Sequence, residues 1–466
     1  MSLDTVNLNA INRSSRASDT VTRPSCVSPA MSAWIGSVFE SDVGWTHLED
    51  LVDVGNRMAG SDGEREAAEL TRDALADAGA RNARLEPFEI QGWTRGDSAI
   101  TAGDTTQECI ALPRSPDERV VAPLVDLGYG MPEDFEETDI EDAIVMVRSD
   151  SPDYYDRYVH RREKYYHAVE NGAVGFVYRN HVEGCLPPTG SVGTDADPVG
   201  AIPALGVSNE VGARLARRFD GESITVSVEA DIHPAESQNV RAELGPDTDE
   251  RVLVTSHVDA HDIAEGAMDN GAGTAMIVEL ATALAEREDD LETRVEFVGF
   301  GAEEVGLVGS ARYAERTDSE TIKAVVNNDG VVRDRTLSII TQGFDALQEV
   351  ANDVADQYDH PIGTVPKVGP HSDHWSFVER GVPGCHVKSI SDGPGRGWGH
   401  TAADTIEKLE PRTLREQAIL LTEYVVALAD SKVTVDHRET ADIAADLESQ
   451  DLAEGMRITG DWPYDD

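Results

Sequence analysis

With 466 residues, 40% of them hydrophobic, the chain is long enough to form two packed domains. Its formal net charge of −49 gives a surface that repels the phosphates of nucleic acids and of anionic lipids. We therefore expect neither a nucleic acid nor a membrane among its partners.

The acidic residues are spread over the whole sequence and lysine is nearly absent. This composition resembles that of proteins from salt-loving organisms, in which concentrated salt screens the repulsion between carboxylates. The four cysteines, Cys26, Cys109, Cys185 and Cys385, are far apart in the sequence, which fits a reducing compartment. Because we find no signal-peptide core and no apolar run of membrane-spanning length, we expect a cytoplasmic protein.

The first part of the chain predicts a disordered segment followed by two helical stretches and a strand. Residues 1–30 are rich in Ser, Thr and Asn and have little to bury. Residues 34–54 and 63–78 have apolar residues at helical spacing, and residues 85–90 alternate as a strand does.

Residues 109–232 have a different sequence pattern. Short β-rich runs are separated by Pro, Gly and Asp, and one segment has the spacing of an amphipathic helix. We interpret this stretch as a compact, mainly β module inserted into a domain that begins near residue 31. The β-rich runs lie at 120–126, 143–147, 173–178 and 202–207.

From residue 238 onwards strands and helices alternate regularly. This pattern predicts an α/β fold with a mostly parallel sheet and helices on both faces. The expected strands lie at 252–254, 294–298, 325–327, 337–341 and 382–387. Residues 433–466 form an acidic tail that we expect to be peripheral.

Polar side chains follow the strands of this alternating region. His257 comes directly after the first strand, and Asp259 is placed to accept the second imidazole N–H. Asp269 lies in a turn before a helix, Asp329 ends another strand, and His400 lies in a Gly-rich loop. Borderline divalent ions prefer such a mixture of imidazole and carboxylate ligands, and a carboxylate can bridge two ions.

Residues 294–310 read RVEFVGFGAEEVGLVGS, a strand broken by two glycines and followed by Glu303 and Glu304 where a helix can begin. Ligands of such sheets bind outside the carboxyl ends of the strands. One glutamate can hold a cation while the other handles a proton. Each residue alone has an ordinary alternative as a solvated acid, a turn or a helix cap. Their joint occurrence in one domain favours a shared metal site.

The sequence contains, in this order, the motifs SHVD, MDNGAG, GFGAEEVGLVGS, NNDG, SDHWSF and GHTAADT. Through the order and spacing of these motifs it resembles the zinc-dependent exopeptidases of peptidase family M28, the aminopeptidase and glutamate carboxypeptidase group. The inserted stretch contains the segments AIVMVRSD, HAVENGAVGFVYRN and AIPALGVSNEVGARL, through which it resembles a protease-associated (PA) domain. The resemblance implies a zinc exopeptidase domain at 31–108 and 233–432, interrupted by a PA domain at 109–232.

The resemblance also implies a carboxylate-bridged pair of zinc ions. His257 and Asp329 would bind one ion, Glu304 and His400 would bind the other, and Asp269 would bridge them.

Glu303 is implied to be the general base, and Asp259 to orient the histidine of the first ion. Members of the family have a tyrosine shortly before the SDH motif that helps to hold the oxyanion, whereas here the run is VGPHSDHWSF. His371 is a candidate substitute for that tyrosine or a plain loop residue. Asp373 and His374 are expected to form the pocket.

We therefore expect a two-zinc exopeptidase acting on peptides, and first of all an aminopeptidase that releases N-terminal residues. A carboxypeptidase or dipeptidase of the same family is an alternative, which an arginine cluster facing the cleft would favour. A glutaminyl cyclase with one zinc ion and a receptor-like protein without metals are further alternatives, and the complete ligand set argues against both. The sequence does not specify the residue preference at the cleaved bond, the role of the insert or the oligomeric state. A homo-oligomer is one of the states that it allows.

Overall fold

The computed structural model describes residues 33–155, 157–194, 196–391 and 397–464. The segment 1–30, for which the sequence predicts disorder, lies outside the described residues. Within the described residues, every helix is too short or too polar to cross a membrane.

The helices include all the predicted ones and five that were not predicted, and the stretch with helical spacing at 34–54 divides into two. The helices are α1 (Ala33–Glu40), α2 (Val43–Asp53), α3 (Asp62–Asp77), α4 (Pro132–Glu137), α5 (Arg161–Glu170), α6 (Asn209–Phe219), α7 (Ala272–Ala285), α8 (Val308–Arg316), α9 (Asp345–Tyr358), α10 (Trp375–Val378), α11 (Pro411–Ala429), α12 (Thr440–Ser449) and α13 (Ala453–Thr459). The five that were not predicted are α4, α6, α10, α12 and α13.

The strands include two that are much longer than the sequence pattern indicated. They are β1 (Arg81–Ala102), β2 (Thr105–Gln107), β3 (Ile110–Ala111), β4 (Glu118–Asp126), β5 (Ile144–Arg148), β6 (Gly175–Arg179), β7 (Ala204–Val207), β8 (Ser223–Leu244), β9 (Arg251–His257), β10 (Arg294–Phe300), β11 (Ile322–Asn328), β12 (Leu337–Ile340), β13 (Ile362–Val365) and β14 (Gly384–Ser389).

One sheet runs through both domains. Its strand order is β13-β12-β14-β11-β9-β10-β8-β4-β5-β6-β7-β3, with β1 paired to β8 and β2 paired to β1. The long strands β1 and β8 form an antiparallel ribbon that joins the two domains, since one end of β8 pairs with β10 and the other with β4. The predicted domain boundary at residue 233 therefore falls within a continuous strand.

The centre of the larger domain is the parallel set β10-β9-β11-β14, and its outer neighbours β8 and β12 run antiparallel. Helix α7 is apolar on nearly all sides and is buried along almost its whole length, as expected for a helix that packs between other elements. The sequence predicted this α/β centre, and the sheet around it is mixed.

The insert has a parallel sheet of its own, β4-β5-β6-β7, with β3 antiparallel at its edge. The helices α4, α5 and α6 belong to it as well. Helices therefore contribute more to the insert than the prediction of a mainly β module indicated.

The acidic tail, which we expected to be peripheral, contains α12 and α13. Ile443 and Leu447 of α12 are fully buried in the core of the larger domain, and α13 packs against α5 of the insert. Beyond α13, Asp461 accepts two hydrogen bonds from Arg162 of the insert, at 2.9 and 3.1 Å. The tail thus connects the two domains, because regularly spaced apolar residues among its acids give it a face to bury.

Candidate metal centre

The predicted site residues lie in loops at the carboxyl ends of adjacent parallel strands. His257 is the last residue of β9, Glu303 and Glu304 follow β10, and Asp329 follows β11. Because β9 lies between β10 and β11, these three strand ends meet at one edge of the sheet.

The five predicted ligands form two groups that share one carboxylate. His257 Nε2 lies 3.4 Å from Asp269 Oδ1 and 4.0 Å from Asp329 Oδ1. His400 Nε2 lies 3.0 Å from Asp269 Oδ2 and 3.4 Å from Glu304 Oε2. Each oxygen of Asp269 therefore faces one group, as expected of a carboxylate that bridges two cations.

The donor set fits zinc. The shorter separations of 3.0–3.4 Å are close to those of two donors that each lie about 2.1 Å from one tetrahedral ion. His257 Nε2 and Glu304 Oε1 are buried and have no hydrogen-bond partner within the described part of the chain, although buried polar atoms are normally paired. Bound cations would satisfy both atoms.

His261, which was not among the predicted site residues, joins the second group. Its Nε2 lies 2.9 Å from Glu304 Oε2, and its ring packs edge-on against that of His400 with the ring centroids 4.6 Å apart. The run His-Val-Asp-Ala-His contained the signal, since alternate residues of an extended segment face the same side.

Asp259 supports two parts of the site. Its carboxylate lies 3.4 Å from His257 Nδ1, and its main-chain carbonyl lies 3.1 Å from the same nitrogen. Its two carboxylate oxygens also accept the main-chain N–H groups of Glu303 and Glu304, both at 3.1 Å. The side chain proposed to orient the imidazole therefore also holds the loop that carries the two glutamates.

Asp404 is a second supporting carboxylate that the sequence analysis did not single out. It is buried, and it accepts the main-chain N–H groups of Met268, at 2.8 Å, and Asp269, at 3.1 Å. Burial, with the nearby charge of Asp269, raises the pKa of Asp404 to about 7. The peptide bond between Asp269 and Asn270, which this contact helps to hold, is cis.

Glu303 and Glu304 lie in a loop, whereas we expected them where a helix begins; α8 starts only at Val308. The loop packs closely against β8, because a Cβ atom added to Gly301 would lie 2.3 Å from Ser237 Oγ. Behind it, Glu64 of α3 accepts the N–H of Ala302 at 3.1 Å. This packing fixes the directions in which the two glutamates point.

The Glu303 side chain stands between the metal-binding groups and the solvent. Its Oε2 lies 4.0 Å from His257 Nε2, and the residue lines the cleft. Burial raises the pKa of Glu303 well above its usual value; His257 opposes this shift, and the carboxylates of Glu304 and Asp373 reinforce it. A pKa shifted by burial and by neighbouring charges is typical of a group that transfers protons in a cleft.

The three predicted pocket residues differ in their positions. His371 lines the cleft, and its ring stacks on that of His160 from the insert, with the centroids 5.2 Å apart. Asp373 and His374 are fully buried beneath it. The ring of His374 stacks on that of His386 rather than facing the cleft.

The cleft above the metal-binding groups has a volume of about 350 Å³ and three walls. The insert contributes residues 158–163, the larger domain contributes the glutamate loop and residues 370–376, and the tail contributes residues 452–463. The insert also contacts the loop that carries His400 directly, since the N–H of Thr189 donates to the carbonyl of His400 at 2.9 Å.

Two family models match the chain, that of peptidase family M28 over residues 239–425 and that of the PA domain over residues 120–215. Aminopeptidase YwaD of Bacillus subtilis (strain 168) is 26% identical over 394 residues, which cover 80% of this chain and 81% of that protein. Carboxypeptidase Q of Bos taurus is 27% identical over 413 residues, which cover 82% of this chain and 85% of that protein.

Solved structures share the fold. The peptidase M28 precursor from Shewanella amazonensis SB2B gives a TM-score of 0.71 at 24% identity and covers 87% of this chain and 97% of its own. A zinc aminopeptidase from Bacillus subtilis gives a TM-score of 0.66 at 23% identity, with 87% and 98% covered. The predicted α/β fold with an insert is confirmed.

The M28 match begins in β8 and ends in α11, so it contains all the strands and loops that carry the two metal-binding groups. The PA match contains the parallel sheet of the insert. The chain region that carries the candidate metal centre therefore matches peptidase family M28, and the insert packed over it matches the PA domain.

Proposed function

We propose that the protein is a two-zinc aminopeptidase that hydrolyses the first peptide bond of short peptides. The observation that supports this most strongly is the pair of donor groups joined by Asp269, at the base of a cleft that Glu303 lines. The relatives named as aminopeptidases, and the zinc enzyme among the solved structures, support the same proposal.

In this proposal His257 and Asp329 would hold one zinc ion, Glu304 and His400 would hold the other, and Asp269 would offer one carboxylate oxygen to each. When bound, two zinc ions supply the Lewis acidity that polarises a peptide carbonyl and lowers the pKa of a water molecule.

The protein's own contribution is the movement of protons by Glu303. The carboxylate of Glu303 takes a proton from the attacking water and donates it to the amine that leaves when the peptide bond breaks. Asp259 keeps this geometry fixed, because it holds the main chain of Glu303 as well as the imidazole of His257. The PA domain and the tail shield the reacting groups from bulk water.

The size of the cleft favours short substrates. A volume of about 350 Å³ lies at the lower end of the range of about 300–1,000 Å³ found for small-molecule sites. Three segments line the cleft, which favours a narrow peptide end over a folded protein or the middle of a long chain. We therefore propose that the PA domain limits substrate size.

A carboxypeptidase or dipeptidase is the second candidate. Arg161 and Arg162 of α5 line the cleft, and an arginine suits recognition of a substrate's C-terminal carboxylate. Arg162, however, is already neutralised by Asp461, so the described residues do not give the cleft the arginine cluster that would favour this alternative. Arg161 donates to the carbonyl of Ser191 at 3.0 and 3.1 Å. The two donor groups argue against a glutaminyl cyclase with a single zinc ion.

Peptides with free or blocked ends test the assignment. The zinc-loaded protein in concentrated salt should cleave peptides with a free N-terminus whether their C-terminus is free or amidated, and a chelator should abolish the cleavage. Cleavage of only those peptides that have a free C-terminal carboxylate, including N-terminally blocked ones, would assign the protein to the carboxypeptidases. From its composition we also propose that the enzyme works in a salt-rich cytoplasm.

A further inference from the structure

His261 is a buried histidine at the second metal-binding group to which the sequence resemblance assigns no role. It is 5% exposed, and neither of its ring nitrogens has a hydrogen-bond partner within the described ranges of the chain. A buried imidazole normally satisfies at least one of its nitrogens. Something outside the protein is therefore expected to occupy the space that this ring faces.

The contact between His261 and Glu304 has the length of a hydrogen bond but not its direction. Nε2 lies 2.9 Å from Glu304 Oε2, yet the ring nitrogen is not aligned with that oxygen for donation. Nε2 of His400 approaches the same oxygen at 3.4 Å. Two imidazole nitrogens that converge on one carboxylate oxygen are arranged as donors around a common ion.

The main chain holds His261 in this position. The N–H of Ala260 donates to the carbonyl of Arg57 at 3.0 Å, and the side chain of Arg57 donates to the carbonyls of Val258, at 3.2 Å, and Gly266, at 2.9 Å. Arg57 is fully buried. The main chain of the loop that carries His261 is thus held in place before any ion binds.

We propose that His261 is a ligand of the second metal ion. The proposal rests on the proposed two-zinc function. It gives the two ions unequal surroundings, with four protein donors around the second ion and three around the first. Those of the second ion are His261, His400, Glu304 and Asp269, and those of the first are His257, Asp329 and Asp269.

This inequality separates the tasks of the two ions. Zinc sites with four protein ligands are typically closed, whereas catalytic sites with three keep one position open for water or substrate. The open site is then the one at His257, whose Nε2 lies 4.0 Å from Glu303 Oε2. We expect the second site, with its extra nitrogen donor, to bind zinc more tightly and to fill first.

X-ray absorption spectroscopy of the fully zinc-loaded protein tests this proposal without a variant. Three imidazoles per two zinc ions are expected, and two imidazoles per two ions would overturn it. In His261→Ala the number of imidazoles per two zinc ions should fall to two. Zinc titration of the metal-free variant should show one of the two ions bound at least about tenfold more weakly than in the wild-type protein. The reason is that loss of even a hydrogen-bond partner of a ligand lowers metal affinity about 10–100-fold.

His360→Ala, which removes a histidine far from the site in sequence, is the matched control and should leave both zinc affinities unchanged. Equal zinc affinities for His261→Ala and the wild-type protein would contradict the proposal. These readouts are independent of peptide cleavage. Three imidazoles without cleavage would refute only the proposed function, and cleavage with two imidazoles would refute only the role of His261.

Discussion

Replacement of Glu303 by glutamine separates proton transfer from metal binding more sharply than any other change in this site. The two side chains have the same shape, and the main-chain N–H that Asp259 accepts is retained. His257 Nε2, a proposed ligand atom, lies 4.0 Å from Glu303 Oε2, and Glu303 belongs to neither metal-binding group. Zinc binding should therefore survive the substitution.

The expected loss of rate follows from the role of Glu303. A positioned general base contributes about 10²–10⁴-fold to a rate, which corresponds to about 3–5 kcal/mol of activation free energy. We expect kcat for a free dipeptide to fall by this factor in Glu303→Gln. Zinc content, measured by mass spectrometry under native conditions, should remain at two ions.

The neighbouring Glu304→Gln is the matched control, because it makes the same chemical change one residue further along the chain. Glu304 Oε2 lies 3.4 Å from His400 Nε2, so its replacement should weaken the second zinc ion as well as the rate. If Glu303→Gln kept more than about a tenth of the wild-type kcat, or lost zinc as Glu304→Gln does, the assignment of the proton-transfer role to Glu303 would be refuted.

Three further properties should respond to specific changes. Asp461→Ala removes the ion pair between the tail and the PA domain. Because a partly exposed ion pair contributes about 1 kcal/mol or less, kcat/KM for peptides of five or more residues should rise up to about fivefold relative to that for dipeptides. An unchanged ratio would show that the tail does not limit substrate size. Burial raises the pKa of Glu64 to about 8, so the folded state holds this proton more tightly than the unfolded state. The metal-free protein should therefore lose stability as the pH rises from about 4.5 to about 8, and urea unfolding of Glu64→Gln should show a shallower pH dependence than that of the wild type. The net charge of −49 predicts that the thermal unfolding midpoint falls as salt is withdrawn, and an equal midpoint in salt-free buffer would contradict this.

The part of the site that could be predicted from the sequence lies at strand ends. His257, Glu304 and Asp329 follow buried strands whose apolar runs are plain in the sequence, and parallel neighbours bring such ends together. Asp269 and His400 lie in loops, so their placement depended on the resemblance to the M28 family. Their roles as ligands stay a proposal.

The parts that could not be predicted depend on contacts between distant segments. Asp404 lies in the same motif as His400, but only the fold shows that its carboxylate accepts the N–H of Asp269. The alternation in His-Val-Asp-Ala-His indicates His261, but the path of its loop depends on contacts with Arg57, about two hundred residues earlier in the sequence. For the tail, the high content of acids concealed the apolar positions Ile443 and Leu447, which are fully buried.

Anomalous diffraction at the zinc absorption edge, from crystals of the zinc-loaded protein, tests the central claim most directly. Two peaks about 3.5–4 Å apart are expected, with Asp269 between them, His257 and Asp329 beside one peak, and Glu304 and His400 beside the other. A single peak, or two peaks that these five side chains do not surround, would contradict the two-zinc site.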